Sequence, residues 1–227
     1  MKPAFTIAAC LASLAPALVG PALAADRTVT LVEVEYVEYY EEGEGWVADG
    51  PSERAPALAR FGPFEVVAPD RVALVGDVDS DTPGDFRRML AAWPGLRTLD
   101  IVECGGTMDD AANLALARMI RRAGLDTHVP AGGSVRSGGV ELFIAGVRRS
   151  ADPGAEFIVH AWLDDLGREA NEVPIGDPAH AAYLAYYRDM GLSSDNARGF
   201  YALTNSAPHD APRQLSLQDL ARFNVLD

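Results

Sequence analysis

The 227-residue sequence predicts an α/β protein with a largely parallel sheet. Three observations carry this expectation. Short apolar runs recur at Val72-Ala73-Leu74-Val75, Leu96 to Val102, Leu125 to Val129 and Phe157 to Trp162, each of strand length. Between them lie longer stretches with apolar residues at helical spacing. The junctions are marked by Gly and Pro, as at Pro94-Gly95, Gly105-Gly106, Gly124 and Asp152-Pro153-Gly154. Strands that alternate with helices need crossover connections, and crossovers make neighbouring strands parallel.

The first residues are set aside as a targeting segment. Lys2 gives a positive start, Phe5 to Val19 is a short apolar run, and Ala22-Leu23-Ala24 before Ala25 fits a small-residue cleavage site. Residues 1–24 therefore read as a secretory signal peptide, which predicts a secreted or periplasmic protein with no membrane span after cleavage. The run contains Pro16 and is shorter than the roughly 20 apolar residues a spanning helix needs. Ile7-Ala8-Ala9-Cys10 resembles a lipoprotein box, but too few residues precede Cys10 to form its hydrophobic region.

Residues 25–70 form an N-terminal strand and loop segment. Thr28 to Tyr40 alternates valine with glutamate and turns aromatic, the pattern of an edge or hairpin strand, and Phe64 to Val67 reads as a short strand. Residues 71–227 form the main domain. Val72 to Gly76 is a strand, Pro83 to Trp93 an amphipathic helix, Leu96 to Val102 a strand, and Met108 to Ala123 a long helix ended by Gly124. Leu125 to Val129 is the next strand, Gly132 to Gly139 a flexible connection, Val140 to Val147 an apolar helix, and Phe157 to Trp162 a further strand. Pro178 to Met190, Asp195 to Ser206 and Leu217 to Phe223 complete the helices.

Composition excludes several kinds of chemistry. The net charge of −14 becomes −15 once Lys2 is removed, which argues against binding to nucleic acid, where phosphates require basic patches. Lys2 is the only lysine, so a phosphate-loop lysine, a Schiff-base lysine and a Ser-Lys dyad are all excluded from the mature chain. Cleavage removes Cys10 and leaves Cys104 alone, without an internal disulfide. His128, His180 and His209 show no metal-ligand spacing, and Asp77, Asp79 and Asp81 lack the glycine and glutamate positions of a calcium loop. No metal and no cofactor is expected. No Gly-x-Ser-x-Gly elbow and no G-x-G-x-x-G dinucleotide signature is present.

Without a lysine, any nucleophilic serine in the mature chain must use a histidine as its base. A hydroxyl is a poor nucleophile until a base takes its proton, and acyl transfer also needs N–H donors aimed at the developing oxyanion. Gly105-Gly106 follows an apolar strand and opens a helix, so its N–H groups can face a ligand with no side chain in the way. Ser137-Gly138-Gly139 lies at the next such junction, and His160 lies in the later apolar strand Phe157 to Trp162, where a lone histidine also reads as a hydrogen-bonded core residue. The competing structural reading is that Ser137 with Gly138-Gly139 caps the helix from Val140. Ser134 reads as a turn residue, Cys104 as a small buried residue, and Tyr183, Tyr186 and Tyr187 as packing against the core or a partner subunit.

These residues carry a resemblance. Strand, Gly105-Gly106, helix to Gly124, strand, Ser137-Gly138-Gly139-Val140-Glu141-Leu142-Phe143-Ile144-Ala145-Gly146, strand and Val159-His160 resemble the Clp-type (ClpP-like) serine peptidases of the ClpP/crotonase-like superfamily, as an exported variant. The match runs from about Val72 to Asp227 and includes the closing Leu215-Ser216 through Asp227. The resemblance implies a spiral of repeated β-β-α units, Ser137 as nucleophile, His160 as base, and Gly106 and Gly138 as the oxyanion hole. It also implies a homo-oligomer and a peptide or small acyl substrate. The family's orienting aspartate falls at or beside Pro208, which makes Asp210 the candidate acid, with Asp189, Asp164 or no acid as alternatives. Glycines flank Ser137 where these peptidases often carry alanine, methionine or cysteine, so a looser nucleophile turn is expected. An exported enzyme has no ATP-driven unfoldase beside it, which points to ATP-independent action on short or unfolded peptides. Superfamily members without the triad keep the fold, so a noncatalytic binding or scaffold protein is the alternative.

Overall fold

The structure, a computed structural model, describes residues 56–164 and 166–227. The expected signal peptide and the Thr28 to Tyr40 strand lie outside the described residues. Three strands open the fold: β1 (Ala59–Phe61), β2 (Phe64–Ala68) and β3 (Arg71–Val75), paired antiparallel in sequence. The sheet thus begins ahead of residue 71. Then follow α1 (Thr82–Ala92), β4 (Thr98–Cys104), α2 (Asp110–Ala123), β5 (Asp126–Val129), β6 (Ser134–Arg136), α3 (Gly139–Ile144), β7 (Arg149–Ala151) and β8 (Glu156–Val159). The chain closes with α4 (Pro178–Asp189), α5 (Ser194–Thr204), β9 (Arg213–Leu215) and α6 (Leu217–Arg222).

The sheet of nine described strands runs β1-β2-β3-β4-β6-β8-β9, with β5 and β7 on a branch. Every pairing from β3 to β8 is parallel; the two ends of the sheet are antiparallel. The branch arises on β4. Its first residues, Thr98 to Asp100, pair with β5, and its last, Glu103 and Cys104, pair with β6. Each successive turn of chain, β4-α2-β5 and then β6-α3-β7, adds one strand to the main path and one to the branch. That is a spiral of repeated strand and helix units in a mixed α/β fold with a largely parallel sheet.

Local signals explain the elements. Asp109 caps α2 by accepting from the Ala112 N–H, and Gly124 ends it in the left-handed conformation at φ 72°. Leu114, Leu116, Ala117 and Ile120 of α2 are buried, so one face of the helix lies in the core. There they join Leu99 and Ile101 of β4, Phe86 and Met89 of α1, and Phe143 of α3 against Phe157 of β8, with ring centroids 4.9 Å apart. Side chains of this size stabilise by about 1.5–3 kcal/mol each when fully buried.

Two expectations are corrected. The connection from Gly132 to Gly139 contains β6, which lies between β4 and β8, and Ser134 is a fully buried strand residue in place of the expected turn residue. Its hydroxyl donates to Glu156 at 2.7 Å and accepts from Arg136 Nε at 2.9 Å, so a polar residue is tolerated there. The strand at Phe157 ends with Val159, which puts His160 just past it.

Candidate active site

The site follows from strand order. β4, β6 and β8 are adjacent and parallel, so their carboxyl ends emerge along one edge of the sheet. Gly105-Gly106 leaves β4 there, Ser137-Gly138 leaves β6, and His160 leaves β8. In open α/β sheets this edge is where ligands bind. The register brings the pieces close. Glu103 is opposite Ser134 and Arg136 opposite Ile158, and the Ser137 N–H continues the ladder onto the Ile158 carbonyl at 2.9 Å.

Immediately afterwards the backbone leaves the strand. Ser137 has φ 48°, one of two non-glycine residues with positive φ among the described residues. A side chain in this region is strained, and such strain clusters at functional sites. Of the capping reading, Gly138 holds and the Ser137 side chain does not. The cap of α3 is Gly138, with no side-chain cap hydrogen bond, and the Ser137 hydroxyl has no hydrogen-bond partner among the described residues.

Gly106, one of the two expected oxyanion donors, comes close to the serine. A methyl group built on Gly106 would lie 3.1 Å from Ser137 Cβ and 3.5 Å from Ser137 Oγ, so Gly106 is in direct contact with the serine. The Gly106 carbonyl accepts from the Val78 N–H at 3.0 Å, while the N–H groups of Gly106 and Gly138 find no acceptor among the described residues. Asn113, only 2% exposed, donates its amide to the Gly138 carbonyl at 2.8 Å and so fixes the Gly138–Gly139 peptide.

Ser137, Gly138 and His160 line one cavity of about 170 Å³, together with Thr107, Asp110, Glu141, Trp162, Tyr183, Tyr187, Tyr201 and His209. No hydrogen bond joins Ser137 Oγ to His160. Such contacts are often long in unliganded sites and tighten around substrate. His160 Nδ1 lies 2.9 Å from the Ala161 carbonyl. A carbonyl only accepts, so Nδ1 carries the hydrogen and Nε2 holds the lone pair a general base needs. Burial lowers the His160 pKa, outweighing the Ala161 hydrogen bond and the nearby Glu169 and Asp110 carboxylates, which raise it.

The remaining candidates sort clearly. Asp210 is exposed and absent from this cavity; it lines a neighbouring surface depression with Glu169, Glu172 and His209. His209, its neighbour, does reach His160, with ring centroids 4.3 Å apart and the planes at 83°. Sequence reasoning missed it, although it sits one residue from the expected acid position at Pro208. His180 is structural: it is buried between the Tyr201 hydroxyl at 2.7 Å and the Val173 carbonyl at 3.2 Å. Cys104 is buried, and burial pushes its thiol up to about 12, where it is no nucleophile. Glu141 was also unassigned. It is buried in α3, accepts from the Tyr187 hydroxyl at 2.7 Å, and burial raises its carboxyl to about 7. The Tyr186 hydroxyl bonds the Glu141 carbonyl, so α4 is tied to α3 through buried tyrosines. Among the described residues there is no cluster fit to hold a metal ion, and no helix long and apolar enough to cross a membrane.

No protein-family model matches the sequence, and a comparison with curated proteins finds no match. Solved structures do resemble it in the course of the chain. A mutant of ClpP1 from Listeria monocytogenes is 15% identical over 70% of this chain and 89% of its own, with a TM-score of 0.49. A mutant of the 1510-N membrane-bound stomatin-specific protease is 18% identical over 70% and 76%, with a TM-score of 0.47. A protein described as an enoyl-CoA hydratase from Streptomyces coelicolor A3(2) is 14% identical over 78% and 70%, also at 0.47. Likeness at this level concerns the path of the chain and not its chemistry.

Proposed function

We propose that this chain is an exported serine hydrolase, a peptidase acting without ATP on short or unfolded peptides. One observation carries the reading. Ser137 is held at positive φ with an unbonded hydroxyl, close to Gly106, and lines a cavity together with Gly138 and His160. In the proposed reaction Ser137 Oγ attacks the substrate carbonyl while His160 Nε2 takes its proton. The oxyanion accepts hydrogen bonds from Gly106 and Gly138. Collapse breaks the scissile bond, His160 returns the proton to the leaving group, and water then releases the acyl group from Ser137 by the reverse use of the same base. Export is supported by the leader-like composition of residues 1–24, and assembly into a homo-oligomer by the family resemblance alone.

The second reading is a noncatalytic binding or scaffold protein that keeps the glycine-lined pocket. It is favoured by the absence of a hydrogen bond between Ser137 and His160 and by the lack of a carboxylate bonded to His160 Nδ1. A fluorophosphonate probe separates the two. The hydrolase reading expects labelling of the wild type, lost in Ser137→Ala and reduced in His160→Ala. A wild type that resists the probe sinks it and leaves the binding protein.

A further inference from the structure

In a serine, histidine and acid site the carboxylate fixes the histidine tautomer, holds the ring in plane and stabilises the imidazolium. Here none of the described carboxylates hydrogen-bonds to His160, and the Ala161 carbonyl occupies Nδ1 at 2.9 Å. The same oxygen lies 3.2 Å from His209 Nδ1. Two imidazoles therefore share one acceptor, and since a carbonyl cannot donate, both must carry hydrogen on Nδ1. The carbonyl is itself held in place. The Ala161 N–H donates to the Ala207 carbonyl at 2.8 Å, and the His209 N–H donates to Glu169 Oε1 at 2.7 Å. The segment 207–209 is thus tied to Ala161 at both ends, and the His209 ring packs edge-to-face on His160.

We propose that the Ala161 carbonyl does the orienting work of the missing acid, and that His209 is the positioning residue that holds this carbonyl and the His160 ring. The proposal rests on the reading of Ser137 and His160 as the reacting pair. His209 touches neither the serine nor the oxyanion donors in this arrangement; it acts through His160. A neutral carbonyl fixes the tautomer as a carboxylate does, but it stabilises the imidazolium less. Four groups face His160: Ala161 through its carbonyl, His209, Glu169 and, from α2, Asp110. Burial and His209 lower the His160 pKa, the other three raise it, and the net direction is down. The base therefore stays neutral and competent to lower pH than a carboxylate-paired histidine, at the expense of driving force for proton transfer.

The test has two readouts on the full chain. Imidazole nitrogen NMR reports the tautomer without any need for turnover. Wild-type His160 should be the Nδ1–H form, His209→Ala should convert part of it to the Nε2–H form and raise its pKa, and His209→Asn, whose amide can donate to the same carbonyl, should keep Nδ1–H. In parallel, fluorophosphonate labelling should slow about tenfold to a hundredfold in His209→Ala, less than the ~10⁴ lost when a tautomer-fixing carboxylate is neutralised. Labelling should be largely restored in His209→Asn and unchanged in Asp210→Asn. Wild-type His160 found as Nε2–H overturns the proposal, as does a greater loss in Asp210→Asn than in His209→Ala. If the wild type is not labelled at all, the hydrolase reading fails, while the tautomer measurement still decides the role of His209. That decision holds even where His209→Ala does not fold, because the wild-type tautomer alone can contradict it.

Discussion

Strain at Ser137 can be measured apart from catalysis by comparing Ser137→Gly with Ser137→Ala. At φ 48° the serine Cβ crowds the backbone, and left-handed conformations cost a non-glycine residue roughly 1–2 kcal/mol. Alanine keeps that cost. Glycine removes it, but loses about 0.5–1 kcal/mol through the greater freedom of the unfolded chain. The hydroxyl adds no further difference, because it makes no hydrogen bond that either substitution would break. Glycine should therefore be more stable than alanine by about 0.5–1 kcal/mol, which for a domain of this size is a Tm difference of about 1–4 °C. Chemical denaturation or calorimetry reads the difference, and both variants should be silent to the fluorophosphonate probe. In a relaxed backbone the order is the reverse, with alanine ahead by a similar margin. That reversed order would refute the claim that the chain stores strain at Ser137.

Two further outcomes test the surroundings. Gly106→Ala sets a methyl 3.1 Å from Ser137 Cβ on a backbone at φ 149°, so the strand-end turn must shift and carry its N–H away from the oxyanion; labelling should fall about a hundredfold, and an unchanged rate would remove Gly106 from the hole. Glu141→Gln should alter the pH dependence of stability. The Glu141 carboxyl is raised from its ordinary 4.5 to about 7, chiefly by burial, so its contribution is fully present below pH 4.5 and is lost as pH rises through 7, a loss of about 3 kcal/mol. Gln keeps the acceptor for Tyr187 but buries an extra amide donor at about 1–2 kcal/mol, so Tm should fall less steeply between pH 4.5 and 7 and end a few degrees above wild type at pH 8. Parallel Tm profiles for the two proteins would contradict the burial argument.

The sequence made the scaffold readable where burial is one-sided or complete. β3 and β4 show as apolar runs, and α2 shows through Leu114, Ala117, Ile120 and the left-handed Gly124. β6 did not show. Three residues are too few for alternation, glycines stand on both sides, and Ser134 and Arg136 are polar because they bond Glu156 and each other between two neighbouring strands. That Gly105-Gly106, Ser137-Gly138 and His160 lie along one edge of the sheet could be expected, because each is at or near the end of a strand and adjacent parallel strands deliver their ends to one edge. The third partner of the site could not be. Its position depends on a return of the chain from α5 to β9, antiparallel to β8, and no local pattern says whether Pro208, His209 or Asp210 will face His160.

The glycines around Ser137 suggested a looser nucleophile turn, and the packing argues the opposite. A methyl on Gly138 would lie 2.6 Å from Thr107 Cγ2 and 2.9 Å from the Asn113 amide nitrogen, and one on Gly139 would lie 2.9 Å from Cys104 Sγ. These are contacts that real side chains do not make, so glycine is required because the walls are close. Asn113 approaches in this way to hold the Gly138 carbonyl, and Cys104 does so at the end of β4, where Gly105-Gly106 turns toward the serine. The small residues thus allow the β4 loop and the β6 loop to touch, which a larger side chain at either glycine would prevent. Rigidity at this serine comes from backbone proximity, and the same economy extends to His160, oriented by a main-chain carbonyl.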